Sequence, residues 1–207
     1  MTVRPSDPAS ARRTRDTFRH GHLPDALVAA AIERLESGGI EALSLRELAR
    51  AAGVNHRAVY RHFPDKLSLL ARVAQEGWHR LKLRVANEMR GKKPGADTLV
   101  AGGLGIFRSA RDNPNLFHFM AGPRMNMEGA FAGLDAAIAD ALQPFRQGFA
   151  NAGTPPKMVR RRTAVFIAAL TGVIVQMLHK RIHVASTKAR KFIFDTCKAL
   201  VEGLCSS

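Results

Sequence analysis

Between residues 23 and 66, apolar side chains return every three or four positions, the period of amphipathic helices. Leu23, Leu27, Ala30, Ala31 and Leu35 make one stripe, predicting a helix over 23–37. Pro24 and Asp25 suit its first turn, and Ser37-Gly38-Gly39 ends it. Leu45, Leu48, Ala49 and Ala52 make a second stripe. Ser44 is placed to cap that helix, with Glu47 three residues on as the other half of a capping box. Gly53 follows, where the chain needs positive φ. Asn55 is placed to cap a third helix, which runs to Phe63 and stops at Pro64. A long helix then opens at Pro64-Asp65 and extends to Arg90 through Leu67, Leu70, Val73, Ala74, Trp78, Leu81 and Val85. At 1.5 Å per residue it spans about 39 Å.

Beyond the break at Gly91–Gly95 the helical period continues over 97–112, 127–151, 156–182 and 187–204. Three glycines at 102, 103 and 105 either admit a close neighbour or mark a bend beside a cavity. Pro144 is placed to kink its helix. β-branched runs are few and Ala, Leu and Arg dominate, so the fold class is all-α. The expected architecture has about nine helices: an N-terminal three-helix domain over 21–66 and a helical body over 67–207, preceded by a basic arm, 1–20. The arm carries Arg4, Arg12, Arg13, Arg15 and Arg19 without apolar periodicity and is expected to be disordered when free. It would either lie in a minor groove or remain a solvated tail.

The third helix carries the chemistry. On a helical wheel Val59 and Phe63 face inward, whereas Arg57, Ala58 and Arg61 face out, flanked by His56 and Tyr60 on one side and His62 on the other. Arginine offers a bidentate fork to guanine, and Tyr and His donate to phosphates, so this face suits a DNA major groove. Arg46 and Arg50 add charge to the outer face of the second helix. The pair reads as a helix-turn-helix, with the second of the two helices as the reader. An ordinary helical hairpin is the bland alternative. It leaves the basic face, the turn glycine and the caps as a coincidence.

The run SLRELARAAGV, then Tyr60-Arg61-His62-Phe63 and Pro64-Asp65-Lys66, resembles the DNA-binding domain of the tetracycline-repressor (TetR) family of bacterial regulators. The upstream RHGHLPDALVAAAIERLESGG is similar to that family's first helix. The resemblance covers about the first third of the chain. Asn55 stands where the family often has Ser or Thr. By position it implies base and phosphate contacts at Arg46, His56, Arg57, Tyr60, His62 and Lys66. The segment DNPNLFHFM bears a weaker resemblance to an effector domain found in one branch of the family. The family further implies a homodimer formed by the last two helices and a mostly apolar inducer pocket. The last two helices also read as a dimer face by themselves, since Ala168, Ala169 and Gly172 permit close approach; completing the monomer core is the alternative.

Charge sharpens this and complicates it. The 207 residues carry a net charge of +15, with a pI near 11.1, which favours polyanionic partners. Residues 1–70 hold 11 Lys and Arg against 8 Asp and Glu, a net of +3, leaving +12 on 71–207. The body therefore attracts DNA at long range, binds an anionic small molecule, or reflects a genome rich in arginine codons. The most apolar stretch, 163–178, is about 16 residues long and contains Thr, Gly and Gln, so no membrane span is expected. The N-terminus has no apolar signal core. The cytoplasm is the expected location, and Cys197 and Cys205 are expected as free thiols rather than a redox pair.

No phosphate loop, nucleophile elbow or paired carboxylates appear, so no enzyme and no cofactor are expected. Asp135 and Asp140 read as solvated. His179 and His183 share a face of the expected helix, but Lys180, Arg181 and Lys188 would repel a dication, so no metal site is expected. Trp78, Phe107, Phe117, His118, Met120, Met125 and Met127 are candidates for an effector pocket, against the alternative that they fill the core. The expected function is that of a ligand-responsive, sequence-specific repressor released from a palindromic operator by an apolar or anionic small molecule. The alternative is an architectural, nucleoid-type DNA-binding protein without an effector.

Overall fold

The computed structural model describes residues 23–122 and 130–206. Met125 and Met127, like the basic arm, lie outside them. The described residues form nine α-helices and no strand: α1 Leu23–Gly38, α2 Leu45–Ala51, α3 His56–His62, α4 Lys66–Met89, α5 Ala96–Asp112, α6 Pro114–Ala121, α7 Ala132–Asn151, α8 Pro156–Leu178 and α9 Ser186–Cys205. A 3-10 turn, Ile40–Ala42, joins α1 to α2. The chain divides into two compact units between Val73 and Ala74, within α4.

In the first unit, α1 buries Leu27, Val28, Ala31, Ile32 and Leu35. This stripe is rotated from the expected one: Leu23 and Ala30 are only half-buried, because Val28 and Ile32 cover the hairpin instead. Leu45 and Leu48 of α2, Val59 of α3 and Phe63 just after it are buried in the same unit. Leu67, expected inside, is 46% exposed, and Leu69 is buried in its place.

In the second unit α5 is central, buried almost continuously from Leu99 to Phe107. Its glycines serve close packing. A Cβ on Gly105 would stand 3.1 Å from the Val85 backbone on α4, and one on Gly103 would overlap Cys197 Sγ on α9. Phe145 and Phe149 of α7 each meet Phe166 of α8 with ring centroids 5.9 Å apart. Offset and edge contacts of this kind suit the ring quadrupoles. Ile193, Cys197 and Val201 of α9 complete the core. Burial pushes the Cys197 thiol up to about 12, so it stays protonated and unreactive. Helix α8 starts at Pro156 as expected; Arg162 is buried beside the core and donates to Thr154 Oγ1 at 3.2 Å, while Arg160 and Arg161 are exposed.

Helix α8 also ends earlier than its apolar period suggested. Lys180 takes a left-handed conformation, φ 56°. Its N–H donates to Met177 O at 2.9 Å, and the Arg181 N–H donates to Gln176 O at 2.9 Å. These are the two bonds of a Schellman stop. His183 therefore lies outside the helix and does not share a helical face with His179.

Candidate nucleic-acid interface

The turn between α2 and α3 is built from local chemistry. Gly53 sits at φ 65°, where an L side chain would be strained although nothing lies within 4 Å of a built Cβ. The Val54 N–H closes the turn onto Ala49 O at 3.0 Å. Asn55 caps α3, its side-chain oxygen accepting from the Arg57 N–H at 2.9 Å. The expected capping box on α2 is absent. Ser44 occupies the cap position without a side-chain hydrogen bond, and Glu47 pairs with Arg34 of α1 at 3.5 Å. Reaching α1 ties two helices together, which a local box would not do.

With Val59 buried and Phe63 beneath the helix end, α3 presents His56, Arg57, Tyr60, Arg61 and His62 to solvent. His56 and Tyr60 meet edge to face with centroids 6.4 Å apart, which limits both rings before any ligand arrives. Arg46 and Arg50 of α2 are exposed beside them, and an open depression of about 490 Å³ runs between Arg46, Arg50, Asn55, His56 and Tyr60. Among the described residues, no acid lies within ion-pair distance of Arg46, Arg50, Arg57 or Arg61. The pairs of this unit, Arg34–Glu47 and Arg72–Asp25, involve other residues. An unneutralised, preorganised basic face is what a phosphate backbone needs.

Lys66, expected at a phosphate, also has a partner within the chain. Its ammonium donates to Ile40 O at 3.2 Å, holding the 3-10 turn. Asp65 and Ser68 form the capping box that Ser44 and Glu47 do not: the Ser68 N–H donates to Asp65 Oδ1 at 2.7 Å, and the Asp65 N–H donates to Ser68 Oγ at 3.3 Å. The start of α4 already carries its own carboxylate. The signal is present in the sequence as Asp65-x-x-Ser68.

In the second unit, Trp78, Phe117 and Met120 converge with Leu81, Phe145, Ile167 and Thr171 on a cavity of about 40 Å³. Phe107 is a core residue and does not line it. His118 is exposed on α6, away from the lining, with its ring against His179. A larger groove of about 550 Å³ lies between the end of α4, α5 and α9. Its floor is Val100, Ala101, Leu104 and Val201, and its rim mixes Glu88, Asp97 and Glu202 with Lys92, Arg190 and Lys198. Sequence reasoning missed this groove, because its walls come from three separate segments.

Residues 27–73 match the profile of "Bacterial regulatory proteins, tetR family". A protein of unknown function from Rhodococcus sp. RHA1 superposes with a TM-score of 0.77 at 25% identity, over 91% of this chain and 98% of that one. A TetR variant from Acinetobacter baumannii AYE, solved with minocycline, gives 0.64 at 20% identity over 88% and 98%. BioQ, solved with its double-stranded DNA operator, gives 0.62 at 21% identity over 89% and 98%. The last two likenesses are of fold. No curated protein matches the chain.

Proposed function

We propose, from the match of residues 27–73 to the profile of tetR-family bacterial regulatory proteins, that this chain is a homodimeric repressor of that family which a small molecule releases from its operator. The observation that carries the DNA half of the proposal is the α3 face. Arg57 and Arg61 are exposed and free of acids among the described residues, on a helix capped by Asn55 and preceded by a glycine turn. Arg57, Tyr60 and Arg61 read base edges and adjacent phosphates, while Arg46, His56 and His62 hold the backbone on either side. Lys66, with one donor used on Ile40, turns its remaining donors to a phosphate. DNA binding places the protein in the bacterial cytoplasm.

The dimer joins α8 and α9 to their twins. Helix α8 is apolar enough to cross a membrane by length and composition, with a mean hydropathy of 1.4, yet only 28% of that window is buried. Val165, Ala168 and Gly172 stand exposed on it. Such a face needs a cover, and a second copy of α8 and α9 supplies one. Two heads then address half-sites one helical turn apart, about 34 Å.

The effector enters at the Trp78, Phe117 and Met120 cavity. Drug-sized ligands need about 300 Å³ or more, so a cavity of about 40 Å³ must enlarge to take one. Binding requires these side chains to part. A ligand that fits only the enlarged state shifts the population toward it, and equal affinity for both states would shift nothing.

The architectural reading rests on a separate observation. Among the described residues, Arg160, Arg161, Lys180 and Arg181 have no acid within ion-pair distance, so the body has unneutralised charge of its own. Selection of bound sequences from a random DNA pool at about 150 mM salt, where unspecific attraction is damped, separates the two. A two-fold symmetric consensus supports the repressor. Tight binding without a consensus transfers the case to the architectural protein.

A further inference from the structure

We propose that His118 and His179 form a two-imidazole binding site for a borderline transition-metal ion such as Cu²⁺, Ni²⁺ or Zn²⁺. The two residues come from different elements, His118 from the middle of α6 and His179 from the C-cap of α8. Their ring centroids are 5.1 Å apart and the rings are tilted by 59°. A metal held by two imidazole nitrogens at about 2.0–2.1 Å has each ring centre about 3.2 Å away, so a tetrahedral angle puts the centres about 5.2 Å apart. The observed 5.1 Å matches that spacing. Both residues are exposed, so an ion can enter and water can complete its shell.

The backbone around His179 sets its position. The Schellman stop reverses the chain at Lys180, whose left-handed φ of 56° a lysine adopts only at a cost. It keeps His179 on the last turn of α8, its N–H donating to Val175 O at 3.0 Å. His183 falls outside the helix and plays no part. Lys180 and Arg181 are exposed beside the pair and weaken attraction to any dication. They therefore disfavour hard ions, which are held mainly by charge, more than soft ions held by nitrogen donation.

The site has a position from which it can act. Phe117 and Met120 of α6 line one side of the apolar cavity, and Ile167 and Thr171 of α8 line another. A cation joining His118 to His179 ties those two helices together and favours the closed cavity.

The test titrates metal-free full-length protein with Cu²⁺, Ni²⁺, Zn²⁺ and Mg²⁺ and follows thermal unfolding, with the paramagnetic resonance spectrum of the Cu²⁺ form. His118→Ala, His179→Ala, His183→Ala and Cys205→Ser are compared, each first shown to fold by its metal-free Tm. The expected result is a Tm rise of about 5 °C or more at about a hundred times Kd, with nitrogen hyperfine structure on the copper signal and no response to Mg²⁺. His118→Ala and His179→Ala should each weaken binding by about tenfold or more, while His183→Ala and Cys205→Ser leave it unchanged. No binding below about 1 mM, or binding that survives either of the first two substitutions, overturns the proposal and leaves the pair as a contact between rings.

Discussion

Arg57 is exposed, and among the described residues no acid pairs with it, so the fold of the head owes it little. Lys66 is different, because its ammonium also holds Ile40 O. The two should therefore separate in experiment. Arg57→Ala should leave Tm nearly unchanged, cost about 1–3 kcal/mol in binding to the selected operator, and relax specificity at the base it reads. Lys66→Ala should lower stability by about 1 kcal/mol, weaken all DNA alike, and reduce the salt slope by about one unit. Titrations of specific and random DNA at several salt concentrations, beside thermal unfolding, check both. Equal losses on both DNAs for Arg57→Ala would remove it from the reading face. The outward face of α3 was legible because a helical wheel over seven positions decides which way its residues point. The Lys66 bond was not, since its partner lies 26 residues away.

At the scale of elements, two helices end on the same backbone device with different residues. α2 uses Gly53, for which positive φ is easy; α8 uses Lys180, for which it is strained. Lys180→Gly should stabilise the protein by about 0.5–1 kcal/mol and raise Tm by about 1–4 °C. Lower stability in that variant would mean that the lysine side chain holds the turn by a contact of its own. The glycine stop could be read from the sequence, since residue type and conformation agree there. The lysine stop could not, and its apolar period carried the expected helix on to 182. The same limit applied to α5, where three glycines signalled either a bend or a close neighbour. Only the positions of Val85 and Cys197 decided for the neighbour.

At the scale of the molecule, the exposed face of α8 is where assembly is to be tested. A Cβ on Gly172 meets nothing within 4 Å, so a charge placed there disturbs no contact within the chain. Gly172→Asp should leave the monomer folded and convert the dimer to monomer in sedimentation at micromolar concentration. Affinity for a palindromic operator should then fall by about 10²-fold or more, because the second head no longer binds at high effective concentration. A variant that remains dimeric would place the interface elsewhere.

The all-α class, the order of the helices, the glycine turn and the basic outward face of α3 follow from short-range pattern, because period, caps and turn chemistry act within a few residues. That Ser44 and Glu47 do not form their box already needed the fold, because Glu47 reaches Arg34 thirteen residues back on α1, whereas the Asp65–Ser68 cap is local and lies in the sequence. The size of the apolar cavity, the burial of Arg162, the groove beside α9 and the meeting of His118 with His179 were decided by tertiary structure alone. Each depends on distances between segments that are far apart in the chain, and a periodic pattern records which way a residue faces but not what it meets.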